Sequence, residues 1–162
     1  MDENNYKIKI RILESAKKIV RKEGWSKNLL KKLINNKVKS SDLLFYFPNG
    51  YLDLINLALD ELNKSLETKV KKINIINFPL SKRIKKILMI RIELLNEDKI
   101  FYKKTFNHLL LPQNSKIMKT NLYNSIDNMW YLAGDNSTDF SFYTKRMTLA
   151  VIYINALFIL FN

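Results

Sequence analysis

Cysteine is absent from the 162 residues, which removes disulfides, thiolate nucleophiles and cysteine-based metal sites together and fits a reducing compartment. Glycine and proline occur three times each, so no glycine-rich phosphate loop can be assembled. Histidine occurs once, at His108, which leaves triads and histidine-rich metal centres without their parts; it is expected to pair with neighbouring backbone or water. The acidic pairs Glu97-Asp98 and Asp135-Asp139 are accounted for by helix capping and salt links. The expectation is therefore a binder, not an enzyme, with no metal and no cofactor. No segment alternates with period two for long enough to make a sheet, and no internal repeat or low-complexity linker is visible. The start, MDENNYKIKI, has neither the apolar core of a secretory signal nor the acid-poor look of a transit peptide. It reads as the untargeted start of a bacterial protein, cytoplasmic or peripheral on the inner membrane.

What is abundant is positive charge and apolar surface. Lys and Arg number 28 against 15 Asp and Glu, a net +13 that suits an anionic partner such as nucleic acid, a phospholipid surface or an acidic protein. The charge is uneven, with 12 basic and 5 acidic residues between positions 1 and 50. A plainer account is a chain rich in Lys, Ile and Asn throughout, as AT-rich coding would make it.

Hydrophobic periodicity predicts helices at 7–23, 27–35, 41–47, 50–76, 81–95, 97–110, 114–133 and 138–161. Ile8, Ile12, Ala16, Ile19 and Val20 share one face of the first, which Gly24 ends. Pro48, Asn49 and Gly50 break the chain before a long fourth helix, and Ser81 is expected to cap the fifth. Gly134 can end the seventh in a left-handed conformation, while Asp135, Ser137 and Thr138 are short acceptors suited to capping the eighth. The expected fold is all-α, with an N-terminal subdomain over 1–50 and a larger helical bundle over 51–162.

Two resemblances follow from particular residues. The order helix, short helix, turn, short helix ending in Phe47-Pro48, long helix resembles the helix-turn-helix unit of TetR-type repressors, with Val38 at the apolar position of the turn. The stretch WYLAGDNSTDFSFYTKR, from Trp130 to Arg146, reads as GD-x-STDF-x-aromatic-YT-[KR]-R preceded by D-x-MW. Two large aromatics and two cations in the first turns of a helix exceed what a cap requires. This pattern resembles the signature of the ubiquinone biosynthesis lipid-binding accessory proteins, a family that is TetR-like in fold and whose eukaryotic members work in mitochondria. The likeness runs from about Ile8 to the end, through Gly24-Trp25, Arg91 and Leu111-Pro112-x-Asn114. Phe142 stands where the family usually has Trp, and relatives continue beyond position 162 to an amphipathic membrane-docking helix.

The resemblance implies a non-catalytic protein that binds an isoprenoid quinone precursor or phospholipid and presents it to a di-iron demethoxyubiquinone hydroxylase. Met89, Leu95, Phe106, Leu110, Met118, Leu122, Met129 and Trp130 are candidates to line the lipid cavity, although each taken alone fits plain core. Phe142, Tyr143 and Arg146 are candidates for hydroxylase docking. The rival function, a ligand-responsive TetR-type DNA-binding regulator, is weakened by the third helix: SDLLFYF carries Asp42 towards an anionic groove and Leu44 and Phe45 where polar contacts belong. Specific DNA binding is therefore not expected. From Met147 to Asn162 no side chain is charged, and sixteen residues fall short of a transmembrane span. A helix apolar all round needs cover, so a homodimer through it is expected, with a membrane surface as the alternative.

Overall fold

The structure is a computed structural model and describes residues 3–162. It is all-α: eight α-helices and one 3-10 turn, with no strand among the described residues. They are α1 (Glu3–Glu23), α2 (Leu29–Asn35), α3 (Ser40–Tyr46), α4 (Tyr51–Lys71), α5 (Leu80–Glu97), α6 (Lys99–Leu109), a 3-10 turn (Pro112–Asn114), α7 (Ser115–Ala133) and α8 (Phe140–Phe161).

The chain forms two units, one of Met1–Asp60 with Ile100–Leu111 and one of Glu61–Lys99 with Pro112–Asn162. The boundary thus lies within α4, not at position 50, and α6 returns to the first unit although it is distant in sequence. Unit 1 holds α6 through Trp25, whose ring lies 5.7 Å from that of Phe101 and whose indole N–H donates to Thr105 Oγ1 at 3.0 Å. Lys104 donates to the carbonyl of Lys22, one of the orphan acceptors at the end of α1. Ile12, Leu13, Ala16 and Val20 form the buried stripe of α1, which Gly24 closes at φ 83°.

Three boundaries depart from the sequence pattern. α4 stops at Lys71, not near 76, although the apolar spacing continues through Ile73 and Ile76. The helix ends in tighter turns, Lys72 N–H to the Lys69 carbonyl at 3.3 Å and Ile73 N–H to that of Val70 at 3.0 Å, and Arg83 fixes the loop that follows: its guanidinium donates to the carbonyls of Phe78 and Ile76, each at 2.6 Å, and to that of Ala133 at 3.2 Å. Three carbonyls that cannot join a helical ladder are satisfied by one side chain. Ser81 lies inside the first turn of α5, whose N-cap is Pro79 without a side-chain bond. At α8 the cap is Asp139, which accepts from the Ser141 N–H at 3.0 Å, and not Asp135, Ser137 or Thr138.

Unit 2 is built from α5, α7 and α8 with the second half of α4. At its centre Arg91 is completely buried. Its guanidinium donates to Tyr153 Oη at 2.7 Å, Asn63 Oδ1 at 2.7 Å and Ser125 Oγ at 2.8 Å, so four helices meet on one cation. All three acceptors are neutral. Tyr153 also offers its ring, 5.3 Å from the guanidinium carbon, and this cation–π contact adds to the hydrogen bond.

Candidate functional site

The segment between α7 and α8 is assembled around a buried carboxylate. Gly134 closes α7 at φ 78°, a left-handed conformation that costs glycine nothing, and the Asp135 N–H reaches back to the Trp130 carbonyl at 3.1 Å. That turn directs the Asp135 side chain inward, leaving it 2 % exposed. Lys145 Nζ bonds one oxygen at 2.8 Å; Ser137 Oγ donates to the other at 2.7 Å, with Arg146 Nη1 at 3.3 Å. Burial pushes this carboxyl up, but the hydrogen bonds from Lys145 and Ser137, the Lys145 charge and the Arg146 bond outweigh it and hold the pKa below the usual carboxylate value.

Arg146 links the segment to α7, with Nε 2.8 Å and Nη2 2.7 Å from Asp127 Oδ1. Its guanidinium carbon lies 3.4 Å from the centre of the Phe142 ring, and Trp130 donates its indole N–H to the Lys145 carbonyl at 3.3 Å. Arg146 is therefore an internal tie, only 11 % exposed, and Phe142 is half-buried beneath it. Of the three residues expected to dock a partner, Tyr143 alone is open to solvent, at 64 %. It packs edge-on against Phe142, ring centres 5.2 Å apart. Phe140 and Met147, also exposed, share its side of α8 at spacings of three and four residues. The sequence reading misses these two, yet their spacing is visible in the sequence; the hidden step is that Arg146 faces inward.

The eight residues expected to line a lipid cavity are not gathered in one place. Phe106 and Leu110 belong to α6 and its end in unit 1, the first buried and the second exposed. In unit 2, Leu95, Met129 and Trp130 are buried, Met118 and Leu122 half-buried, and Met89 is exposed. Met89 does line a groove of about 600 Å³ on α5, with Ile73, Phe78 and Ile90 as its other apolar walls and Lys82 and Lys86 among its charged ones. Lys86 Nζ stands 5.1 Å from the Phe78 ring centre. Phe78 escapes the periodic pattern because it sits in the loop that Arg83 holds. Among the described residues no cluster of His, Cys, Asp and Glu could hold a metal ion.

α8 is 22 residues long, more than the apolar run from Met147 suggests, because the Asp139 cap starts it at Phe140. It is long and apolar enough to cross a membrane by length and composition. Leu149, Tyr153, Leu157 and Phe161 nevertheless form a buried stripe at strict four-residue spacing, while Val151, Ile152, Phe158 and Ile159 are exposed.

Residues 116–162, which span α7, the inter-helix segment and α8, match the model of the COQ9 family. The chain is similar to the COQ9 proteins. The ubiquinone biosynthesis protein COQ9 of Rattus norvegicus, described as mitochondrial, is 29 % identical over 158 residues, 93 % of this chain and 51 % of its own length. The probable ubiquinone biosynthesis protein coq9 of Dictyostelium discoideum, also mitochondrial, is 25 % identical over 161 residues, with 92 % and 51 % covered. The Homo sapiens COQ9 is 49 % identical over a shorter 45 residues, 28 % of this chain and 14 % of that protein. The chain thus spans about half the length of the curated COQ9 relatives it matches from end to end. These relatives are mitochondrial proteins of eukaryotes, which overturns the expectation of a bacterial protein in the cytoplasm or on the inner membrane. That expectation rests on the composition of the first residues, which bears on targeting and not on lineage.

Proposed function

We propose that this chain acts in ubiquinone biosynthesis as a non-catalytic accessory, binding an isoprenoid quinone precursor or phospholipid and presenting it to a di-iron demethoxyubiquinone hydroxylase. The observation that carries the reading is the COQ9 match over 116–162, which contains the whole Asp135–Lys145–Arg146 assembly and the aromatic strip it orients. A rigid helix start that exposes Phe140, Tyr143 and Met147 beside one another suits an interface, where buried aromatic anchors supply most of the affinity. The groove on α5, apolar within and lysine-lined at its edge, suits an amphiphile with an anionic or polar head. A second copy packing on the exposed side of α8 would cover Val151, Ile152, Phe158 and Ile159.

The regulator reading is not favoured. Leu44 and Phe45 on α3 present neither donors nor acceptors to a DNA groove.

Mass spectrometry of lipids extracted from the purified protein tests the ligand, with a polyprenyl compound or phospholipid expected at near-stoichiometric amount. An empty protein, together with normal ubiquinone synthesis when the gene is deleted, would overturn the reading. Tyr143→Lys tests the interface: hydroxylase capture should be lost with the melting temperature unchanged. Light scattering tests the second copy, and a monodisperse monomer refutes it.

A further inference from the structure

The exposed side of α3 in unit 1 is not used by the proposed function, yet it is strongly apolar. α3 buries only Leu43 and turns Ser41, Leu44 and Phe45 outward, followed by Pro48. Spacings of three and four put these on one side of the helix. Leu44 and Phe45 are 74 % and 75 % exposed, higher than isolated surface apolars need to be, and they are adjacent.

Cations lie close to α3 in the chain and in unit 1: Lys37 and Lys39 occupy the turn that leads into the helix, Lys39 as its N-cap. Phe45 packs edge-on against Tyr46 at 4.9 Å, and Lys9 Nζ lies 5.8 Å from the centre of the Tyr46 ring. In the same unit a cleft of about 350 Å³ is lined by Arg11, Ser15, Asn36, Lys37 and Lys39. Arg11, Lys37 and Lys39 take part in no ion pair among the described residues, whereas the nearby acid Glu14 is engaged by Lys17. Lys37 holds the left-handed conformation at φ 67°, where glycine or asparagine would be less strained, so the turn carries a cation at a backbone position that disfavours lysine. Asp42, half-buried, is the one acid on α3.

A helix that exposes an apolar pair and follows a turn of unpaired cations matches one kind of surface in both respects. A DNA groove offers phosphates to the cations, but to Leu44 and Phe45 only scattered thymine methyls, set among base edges that would lose hydration. A bilayer with anionic headgroups offers hydrocarbon immediately beneath its phosphates. We propose that unit 1 docks on an anionic phospholipid surface, with Leu44 and Phe45 entering the headgroup–acyl boundary and the Arg11–Lys37–Lys39 cleft receiving a headgroup phosphate. This docking is independent of any ligand or partner of unit 2.

Co-sedimentation of the full chain with phosphatidylcholine vesicles, with and without phosphatidylserine, tests it. The protein should partition onto the phosphatidylserine vesicles and be released by salt. Arg11→Gln, Lys37→Asn and Lys39→Gln should each weaken partition by roughly fivefold, the effect of one cation near an anionic surface. Leu44→Ser with Phe45→Ser should weaken it by roughly a hundredfold, the effect of leaving two large side chains in water. The variants other than Lys37→Asn should melt with the parent protein, since the substituted side chains are exposed, and Lys37→Asn no lower than it, since asparagine relieves the left-handed strain. Vesicle binding that is absent in the parent, or unchanged in the Leu44/Phe45 double variant, overturns the proposal; the second result would assign binding to α8. Duplex DNA that displaces the vesicles through the same three cations, with no sensitivity to Leu44 and Phe45, overturns it in favour of nucleic acid.

Discussion

Two arginines of unit 2 satisfy their guanidinium groups in opposite ways. Arg91 is buried and meets a phenol, an amide and a hydroxyl. Arg146, also mostly buried, meets two carboxylates and an aromatic face. Burying a charge is costly and is recovered only when every N–H finds an acceptor, so Arg91 acts as a geometric key: four helices must be in place before its cost is offset. Arg146 shares Asp135 with Lys145 and takes its second carboxylate from the 43 % exposed Asp127, so it holds a local segment without defining the core. The difference separates what keeps unit 2 folded from what shapes its exposed aromatic strip.

Replacing each cation should expose that contrast. Arg91→Ala removes the key and leaves Asn63, Ser125 and Tyr153 without their donor beside a cavity. It should destabilise by about 3–5 kcal/mol, read as a lower urea midpoint. A loss below about 1 kcal/mol would mean that water replaces the guanidinium and that the four-helix junction is not specific to it. Asp135→Asn weakens the tie of both Lys145 and Arg146, but Asp127 still holds Arg146 and Lys145 is 31 % exposed. After discounting for that exposure, about 1–2 kcal/mol is expected, with weaker capture of the proposed hydroxylase partner because the start of α8 loosens.

Acid should distinguish the two arginine sites as well. Asp135 has its pKa depressed in the folded state, so its contribution is complete above the unfolded value and is lost as pH falls through the folded one. Melting temperature should therefore decline below about pH 4 in the parent and decline less in Asp135→Asn, whereas Arg91→Lys should keep the parent's acid limb. His108 in unit 1 acts earlier: burial lowers its pKa, so stability is complete above its unfolded value near 6.5 and falls as pH drops below it. His108→Gln should remove that first, shallower limb. The smallest effect belongs to Tyr143→Lys, within about 0.5 kcal/mol of the parent, since the ring is mostly in water.

Periodicity was enough for the helices because apolar residues at three and four can be buried only on a helical face, and glycines such as Gly24 and Gly134 mark where the chain leaves it. The stretch around Asp135 was legible as a motif because its residues are close in sequence, but its bonding was not: Asp135, expected to cap, binds Lys145 and Arg146, the latter expected to dock, across ten and eleven residues. Long-range choices were not legible. Arg91 and Arg83 look alike on α5, yet one joins four helices and the other arrests a loop, and the acceptors that distinguish them come from distant segments.

Local composition and spacing set the helical class and the ends marked by Gly24 and Gly134, since each depends on residues within one or two turns. Tertiary packing alone assigned α6 to unit 1, dispersed the eight apolar candidates between core, surface and the two units, and turned Arg146 inward beneath Asp127 and Asp135. A side chain's burial and its hydrogen-bond partners depend on which segments pack against it, and periodicity specifies a helix face without specifying what that face meets.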